Sequence, residues 1–390
     1  MTVAQQTQDT LDTSGDRAKE LLSQDQQFLR STEVPSYGGE ADANEIVDLF
    51  CGCGGLTYGA LEGFRHAGRA AKLSLAVDLE GTPLDVLENT LSLSDDRCKA
   101  FDLALLQDIA SEATTEESEL FDLVGEGPLL LAGPPCQGHS ALNNHTRHDD
   151  PRNDLYMTIA RAAELTKPRA IVSENVSGIS SDRKQSVTRC MKALKGLGYE
   201  VVEKRLDLRG LGVPQRRIRH VLVATKGKKF EWEQLASVPN RDVAWAIEDL
   251  LDQKPSSAFD TASQANEKNI ERINWLFDEN AYDLPNEHRP DCHQDGDHSY
   301  VSMYGRLRWD RPAQTITSGF GSMGQGRFVH PRRRRTLTPH EAARLQCLPD
   351  FVAFDAVDMT RSALATMIGN VAPPLLATRI VEALVAQELL

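Results

Sequence analysis

Residues Glu45–Gly68 read EIVDLFCGCGGLTYGALEGFRHAG. The run Ile46–Phe50 is apolar and has the length of a buried strand. Gly52, Gly54 and Gly55 then interrupt it, and a helical-looking segment follows. Strand, glycine turn and helix form the opening unit of a doubly wound sheet, in which the turn lets backbone approach a ligand facing the helix amino terminus. The spacing is not the GxGxxG of dinucleotide folds, and a purely structural tight turn would leave the same trace.

Working outward, LSLAVD (73–78), PLLLAG (128–133), RAIVSEN (169–175) and HVLVAT (220–225) are further apolar runs of strand length. Helix-like stretches such as Leu155–Leu165 and Val187–Leu197 lie between them. The alternation predicts an α/β fold with a parallel, doubly wound sheet. Between about Lys226 and Tyr304 the alternation lapses into sequence rich in Trp, Asn, Asp and His, and a second, smaller lobe is expected there. Helical stretches around His340–Gln346 and Pro374–Leu389 return to the first style. Residues 1–43 are polar and read as a mobile or loosely helical extension. The expected organisation is therefore 1–43 as an extension, 44–225 as catalytic and cofactor-binding domain, 226–304 as lobe, and 305–390 as a return to that domain.

The 390 residues suffice for two domains. An apolar fraction of 40% and a charged fraction of 26%, with no uninterrupted apolar span, exclude a membrane-embedded chain. The first residues lack a basic segment followed by an apolar one, so a cytoplasmic location is expected. Seven scattered cysteines form neither a disulfide framework nor a paired zinc motif; reduced thiols and no metal are expected. A net charge of −14 disfavours nucleic acid on average. Cations nevertheless gather in Lys192–Lys229 and Arg327–Arg335, which leaves a local DNA-binding face open.

Four places carry chemistry. Asp78 ends LAVDLE, where a carboxylate suits ribose hydroxyls, although a solvated strand end looks the same. In PLLLAGPPCQGHS an apolar strand stops at Pro134-Pro135 and presents Cys136 to a polar loop. Burial as a small hydrophobe would require none of this, so Cys136 reads as a nucleophile. RAIVSENVSG closes another strand with Glu174-Asn175, beside Cys136 if the strands adjoin. GVPQRRIRHVLVA supplies Gln215, Arg217 and Arg219; strand alternation would send both arginines to one face, toward an anionic partner.

The ordered set DLFCGCGG, AVDLE, GPPCQG, SENVSG, QRRIR, RPAQTIT, LTPHEAARLQ and IGNVAPPLLA runs from about Glu45 to Ala377 and resembles the cytosine-5 DNA methyltransferase family of bacterial type in its usual linear order. The resemblance implies a Rossmann-like S-adenosylmethionine-dependent sheet with a small target-recognition domain. It implies that Phe50, Gly52 and Gly55 line the methionine end of S-adenosylmethionine, that Asp78 holds the ribose, and that Leu79 covers the adenine. Asp102 would meet the adenine amino group, with Asp108 as the other choice, and Asn370 would join the cofactor side. The implied chemistry adds the Cys136 thiolate to carbon 6 of a flipped cytosine in double-stranded DNA, with Glu174, Arg217 and Arg219 around the base and His139–Asp150 closing over it. The resemblance admits a companion restriction endonuclease as partner, without the sequence deciding whether there is one. His139 departs from the aromatic residue common after PCQG, and no stretch of the lobe matches a recognition sequence. A transfer-RNA methylating branch of the family carries a CFT motif, which is absent here. A silent DNA-binding relative would not keep Cys136, Glu174 and both arginines, and an oxidoreductase has no use for a proline-flanked cysteine.

Overall fold

A computed structural model describes residues 19–39, 42–94, 96–135, 155–181, 185–291, 294 and 303–390. In chain order the helices and strands begin with α1 (residues 19–30), β1 (Asn44–Leu49), α2 (Gly55–His66), β2 (Ala71–Asp78), α3 (Gly81–Leu91) and β3 (Cys98–Ala100). Next come α4 (Thr115–Phe121), β4 (Leu129–Ala132), α5 (Tyr156–Thr166), β5 (Ala170–Val176), α6 (Ser186–Gly196) and β6 (Tyr199–Asp207). The remainder is β7 (Gln215–Arg216), β8 (Ile218–Lys226), α7 (Val243–Ile247), α8 (Glu267–Asp278), β9 (Ala313–Gln314), α9 (Pro339–Leu345), α10 (Arg361–Asn370) and α11 (Pro374–Ala386). The chain divides into two compact units. The sheet unit holds Val34–Leu208, Ile218–Ala236 and Val371–Leu390, and the second unit holds Met1–Glu33, Arg209–Arg217 and Ser237–Asn370.

The sheet unit is a seven-stranded sheet in the order β3-β2-β1-β4-β5-β8-β6. Strands β3 to β5 run parallel, whereas β8 is antiparallel to both its neighbours. The parallel sheet expected from sequence is present in β3 to β5, and β8 reverses direction on one side of it. A parallel return needs a crossover of a dozen or more residues, and only ten separate β6 from β8. Central strands carry the apolar runs: all four residues of β4 are buried, and Val47, Leu49, Leu130, Ile171 and Leu222 pack on Tyr156, Ile159, Cys190 and Leu194 of α5 and α6. Each fully buried aliphatic side chain contributes about 1.5–3 kcal/mol.

Helix α2 meets the segment 371–381 through glycines. A Cβ on Gly55 would stand 2.3 Å from the Ala372 carbonyl oxygen, and one on Gly59 would stand 2.0 Å from that of Pro374. The Thr378 hydroxyl donates to the Gly59 carbonyl at 3.0 Å. Arg361–Ala386 is the one stretch among the described residues helical and apolar enough to pass for a membrane span, and most of it is buried in the protein.

In the second unit, α1 is far from a loose extension: Asp25, Phe28 and Leu29 are buried, Asp25 pairs with buried Arg241, and Phe28 meets Phe351 edge-on. Leu21, Asp25, Phe28 and Leu29 keep helical spacing, with an acid in place of the second apolar residue. A small core of Ile273, Leu276, Leu284, Tyr304, Met323 and Val329 includes α8, and β7 pairs in parallel with β9. Of residues 226–304, expected from sequence to form a lobe of their own, 226–236 belong to the sheet unit and 237–304 share the second unit with 305–370 and 209–217.

Candidate active site at the carboxyl ends of the strands

The turn after β1 is fixed by conformations that side chains resist. Phe50, Gly52 and Gly54 all have positive φ, of 57°, 53° and 91°. The Gly52 amide donates to Asp78 Oδ2 at 2.8 Å, and the Glu80 amide to Asp78 Oδ1 at 3.2 Å, so the carboxylate at the end of β2 ties two backbone turns together. Nothing lies within 4 Å of where a Gly52 Cβ would stand, which leaves the close backbone approach expected of a ligand turn. Gly55 is different: the Val371–Ala372 segment fills its open side. Leu79 is 64% exposed beside Asp78.

β3 pairs Ala100 with Asp78, and the Phe101 amide donates to the Asp78 carbonyl at 2.9 Å. Asp102 therefore leaves the sheet next to Asp78, where its carboxylate accepts from the Ala104 amide at 3.0 Å and starts a short 3-10 turn. Asp108 lies further along the loop. Beneath the glycine turn stands Asp48, wholly buried, accepting from the Thr57 hydroxyl at 2.6 Å. Burial, with the nearby charge of Asp78, pushes its carboxyl up to about 7 against the downward pull of Thr57. Sequence reasoning passed over Asp48 because it reads as one polar residue inside an apolar run.

The adjoining ends of β4 and β5 form the other half. Ala132 lies opposite Ser173, and two residues on, Asn175 Nδ2 donates to the buried Pro134 carbonyl at 3.1 Å. Asn175 Oδ1 accepts from the Val176 amide at 2.8 Å, so both ends of its amide are committed. Beside it, Glu174 Oε1 lies 2.6 Å from Arg219 Nε, both side chains nearly buried, because antiparallel β8 sets Arg219 opposite Val176. Strand ends thus bring together Pro134-Pro135, Glu174, Asn175 and Arg219. Cys136 and the loop His139–Asp150 lie outside the described residues.

Arg217 precedes β8, which starts at Ile218, so strand alternation does not extend back to it, and Arg217 is described with the second unit. There its buried guanidinium donates to Gln346 Oε1 at 3.3 Å and approaches the Ile316 carbonyl. Gln215 Nε2 donates to the same Gln346 oxygen at 2.7 Å, and Gln346 Nε2 donates to the Ile368 carbonyl at 2.9 Å. This network binds three separate motifs, QRRIR, ARLQ and IGN, within the second unit. Exposed Asn370 ends α10 directly after it.

The described thiols are poor nucleophiles. Burial pushes Cys53, Cys98 and Cys190 up to about 12 and Cys51 well above its ordinary value, and Cys347 is buried. Among the described residues no cluster of His, Cys, Asp and Glu could hold a metal ion.

Residues 44–386 match the family model described as C-5 cytosine-specific DNA methylase. The chain is 42% identical over 352 residues to the Type II methyltransferase M1.BsuMI of Bacillus subtilis, a match covering 90% of this chain and 82% of the relative. It is 28% identical to the Type II methylase M.HgiDII of Herpetosiphon aurantiacus, over 84% of this chain and 91% of that one. Among solved structures, the S. pombe Dnmt2 methyltransferase aligns with a TM-score of 0.55 at 18% identity, over 88% of this chain and 99% of that one.

Proposed function

The chain belongs to the C-5 cytosine-specific DNA methylase family and is a DNA (cytosine-5) methyltransferase; from that premise we propose that it acts on a flipped cytosine through a covalent bond to Cys136, with S-adenosylmethionine as methyl donor. The family requires a methyl donor, and the residues at the strand ends suit this one. Asp78 is placed to accept from ribose hydroxyls, Leu79 and Phe50 offer apolar surface for adenine and methionine, and the open backbone at Gly52 admits close approach. Asp102 is favoured over Asp108 for the adenine amino group because it leaves the sheet beside Asp78. Gly55 and Asn370 are assigned to the same side on the family resemblance. Bound, the cofactor supplies an electrophilic methyl group.

Carbon 5 of cytosine is a weak nucleophile, so the Cys136 thiolate first adds to carbon 6 and pushes electron density toward carbon 5. Arg219 engages one oxygen of Glu174, and the proposal assigns the other to ring nitrogen 3, sharing a proton that offsets the charge developing on the ring. Asn175 acts as a positioning residue by holding the backbone that leads into Cys136. After methyl transfer the carbon 5 proton leaves, and the thiolate departs to restore the ring. A stacked base cannot enter such a site, and flipping costs a few kcal/mol. Target choice is assigned to residues 226–304. Relatives named as Type II methyltransferases support a role in protecting DNA from a companion endonuclease.

The observation that carries this reading is the Asn175 bond to the Pro134 carbonyl next to the Glu174–Arg219 pair, which joins the lead-in to Cys136 to the acid and cation of the neighbouring strands. Sequencing methylated cytosines in DNA from cells expressing the protein tests it. The wild type should mark carbon 5 of cytosine within one short sequence, and Cys136→Ser should leave no mark. Methylation by the serine variant, or a mark on adenine, would overturn the proposal.

A further inference from the structure

The four consecutive arginines Arg332–Arg335 look like one basic cluster in the sequence, but the second unit uses them in different ways. Arg335 makes two hydrogen bonds to Glu341, at 2.7 and 2.6 Å, and Arg334 pairs with Asp278 at 2.6 Å. Buried His330 shapes the turn that carries them: its Nδ1 accepts from the amides of Arg332 and Arg333, each at 2.9 Å, and its own amide donates to the Arg335 carbonyl. An imidazole that accepts at Nδ1 is neutral, with its proton on Nε2. Burial keeps it uncharged by pulling its pKa down to about 4.

Around this turn arginines and aromatic rings alternate. Arg334 lies over Phe277, Phe277 also carries Arg306 at 3.9 Å, Arg306 approaches Tyr282, and Tyr282 carries Arg308 at 4.1 Å. Alongside, Arg332 lies 4.8 Å from the Trp309 ring. Arg306 is anchored to the Pro331 carbonyl at 2.9 Å, which fastens the ladder to the turn. For Arg308 and Arg332 the aromatic ring is the side-chain contact the structure gives, whereas Arg327 and Arg334 meet Asp283 and Asp278.

We infer that Arg308 and Arg332, held over the rings of Tyr282 and Trp309, are DNA-backbone contacts that take one phosphate each. Three features point to a phosphate. A guanidinium is planar, and its N–H donors form the fork that matches phosphate oxygens, so an aromatic ring can hold the group without using those donors. Stacking also orders the side chain before binding, so less rotamer freedom is lost when a phosphate arrives. Finally, among the described residues neither cation meets a carboxylate, on a chain of net charge −14, so their positive charge is locally uncompensated. The inference rests on the DNA reading above and adds to it the residues that supply affinity irrespective of base sequence.

The test is the salt dependence of duplex binding by the full chain, followed by fluorescence anisotropy from about 50 to 200 mM salt. Each phosphate that is no longer engaged should lower the slope of log K against log salt by about 0.9. Arg308→Gln and Arg332→Gln should each show that decrease, and the double variant about twice it. Lys99→Gln, on the sheet unit, should leave the slope unchanged. Tyr282→Leu retains every charge; it should weaken binding several-fold with the slope preserved. Calorimetry with S-adenosylmethionine gives equal affinity for all properly folded variants, so a misfolded one is recognised, and Arg308→Lys, which keeps the charge without the fork, should restore the slope but not the full affinity. Unchanged slopes in both glutamine variants would overturn the inference. If the wild type methylates its site all the same, the cytosine methyltransferase reading stands and only the phosphate contacts fail; a wild type without methylation would fail the earlier reading instead.

Discussion

In the sheet unit, the buried positions of β4 are all aliphatic, those of β1 and β5 are aliphatic apart from Asp48, Ser173, Glu174 and Asn175, and backbone groups are satisfied between strands. In the second unit, buried positions are held by side-chain charge: Arg241 on Asp25, Arg344 on Asp249 and Asp350, and the Gln215–Gln346 pair under Arg217. His340 adds a link between Asp260 and Asp350, at 2.8 and 2.9 Å. An aliphatic interior loses stability in proportion to the volume removed, whereas removing one member of a buried ion pair strands its partner's charge in a poorly solvating interior. Substitutions at the two kinds of position should therefore fail differently.

The largest expected effect is on the second unit. Arg344→Ala should cost about 3–5 kcal/mol, since it leaves two carboxylates behind, while Ile171→Val in β5 should cost about 0.5–1.5 kcal/mol. Hydrogen exchange resolved by segment should show the arginine variant opening α9 and α10 while amides of β4 and β5 stay protected. Equal loss of protection in both units would break the distinction.

A smaller effect separates the units by pH. In the sheet unit, His66 sits between Glu382 and Glu62; burial alone would lower its pKa, but those hydrogen bonds carry it up to about 9. Because the folded value is raised, its contribution is complete below about 6.5 and fades as pH rises through about 9. His330 in the second unit has a lowered value, so its contribution is complete above about 6.5 and fades as pH falls through about 4. Each contribution is on the order of 3 kcal/mol. Chemical denaturation of His66→Gln and His330→Gln should converge with the wild type at alkaline and acid pH respectively. The reverse pattern would contradict the assigned partners.

The same contrast explains what the sequence made legible. Central strands announce themselves as apolar runs because both faces are covered. Within the seven-stranded sheet the strands missed, β3 and β6, are its two edges; in β6 buried residues such as Val201 are interrupted by exposed Glu203, Lys204 and Arg205. The residues proposed for the site lie where such runs stop, at Asp78, Pro134-Pro135 and Glu174. Arg217 was misplaced because the strand begins one residue after it, and the helix of residues 19–30 was hidden by a buried acid whose partner, Arg241, lies 216 positions away. Paired charges remote in sequence leave no periodic trace.

The central claim is that Cys136, four residues past the end of β4 in the sequence, performs the attack and that the buried thiols of Cys51 and Cys53 do not. DNA in which 5-fluorocytosine replaces the target base tests it directly, because fluorine at carbon 5 cannot leave as a proton and arrests the reaction after methyl transfer. With S-adenosylmethionine present, the wild type should form an adduct that survives denaturing electrophoresis. Cys51→Ser and Cys53→Ser should form it as well, their thiols being held protonated by burial, and Cys136→Ser should form none. An adduct that persists in the Cys136 variant, or none in a wild type shown to methylate that site, would contradict the account.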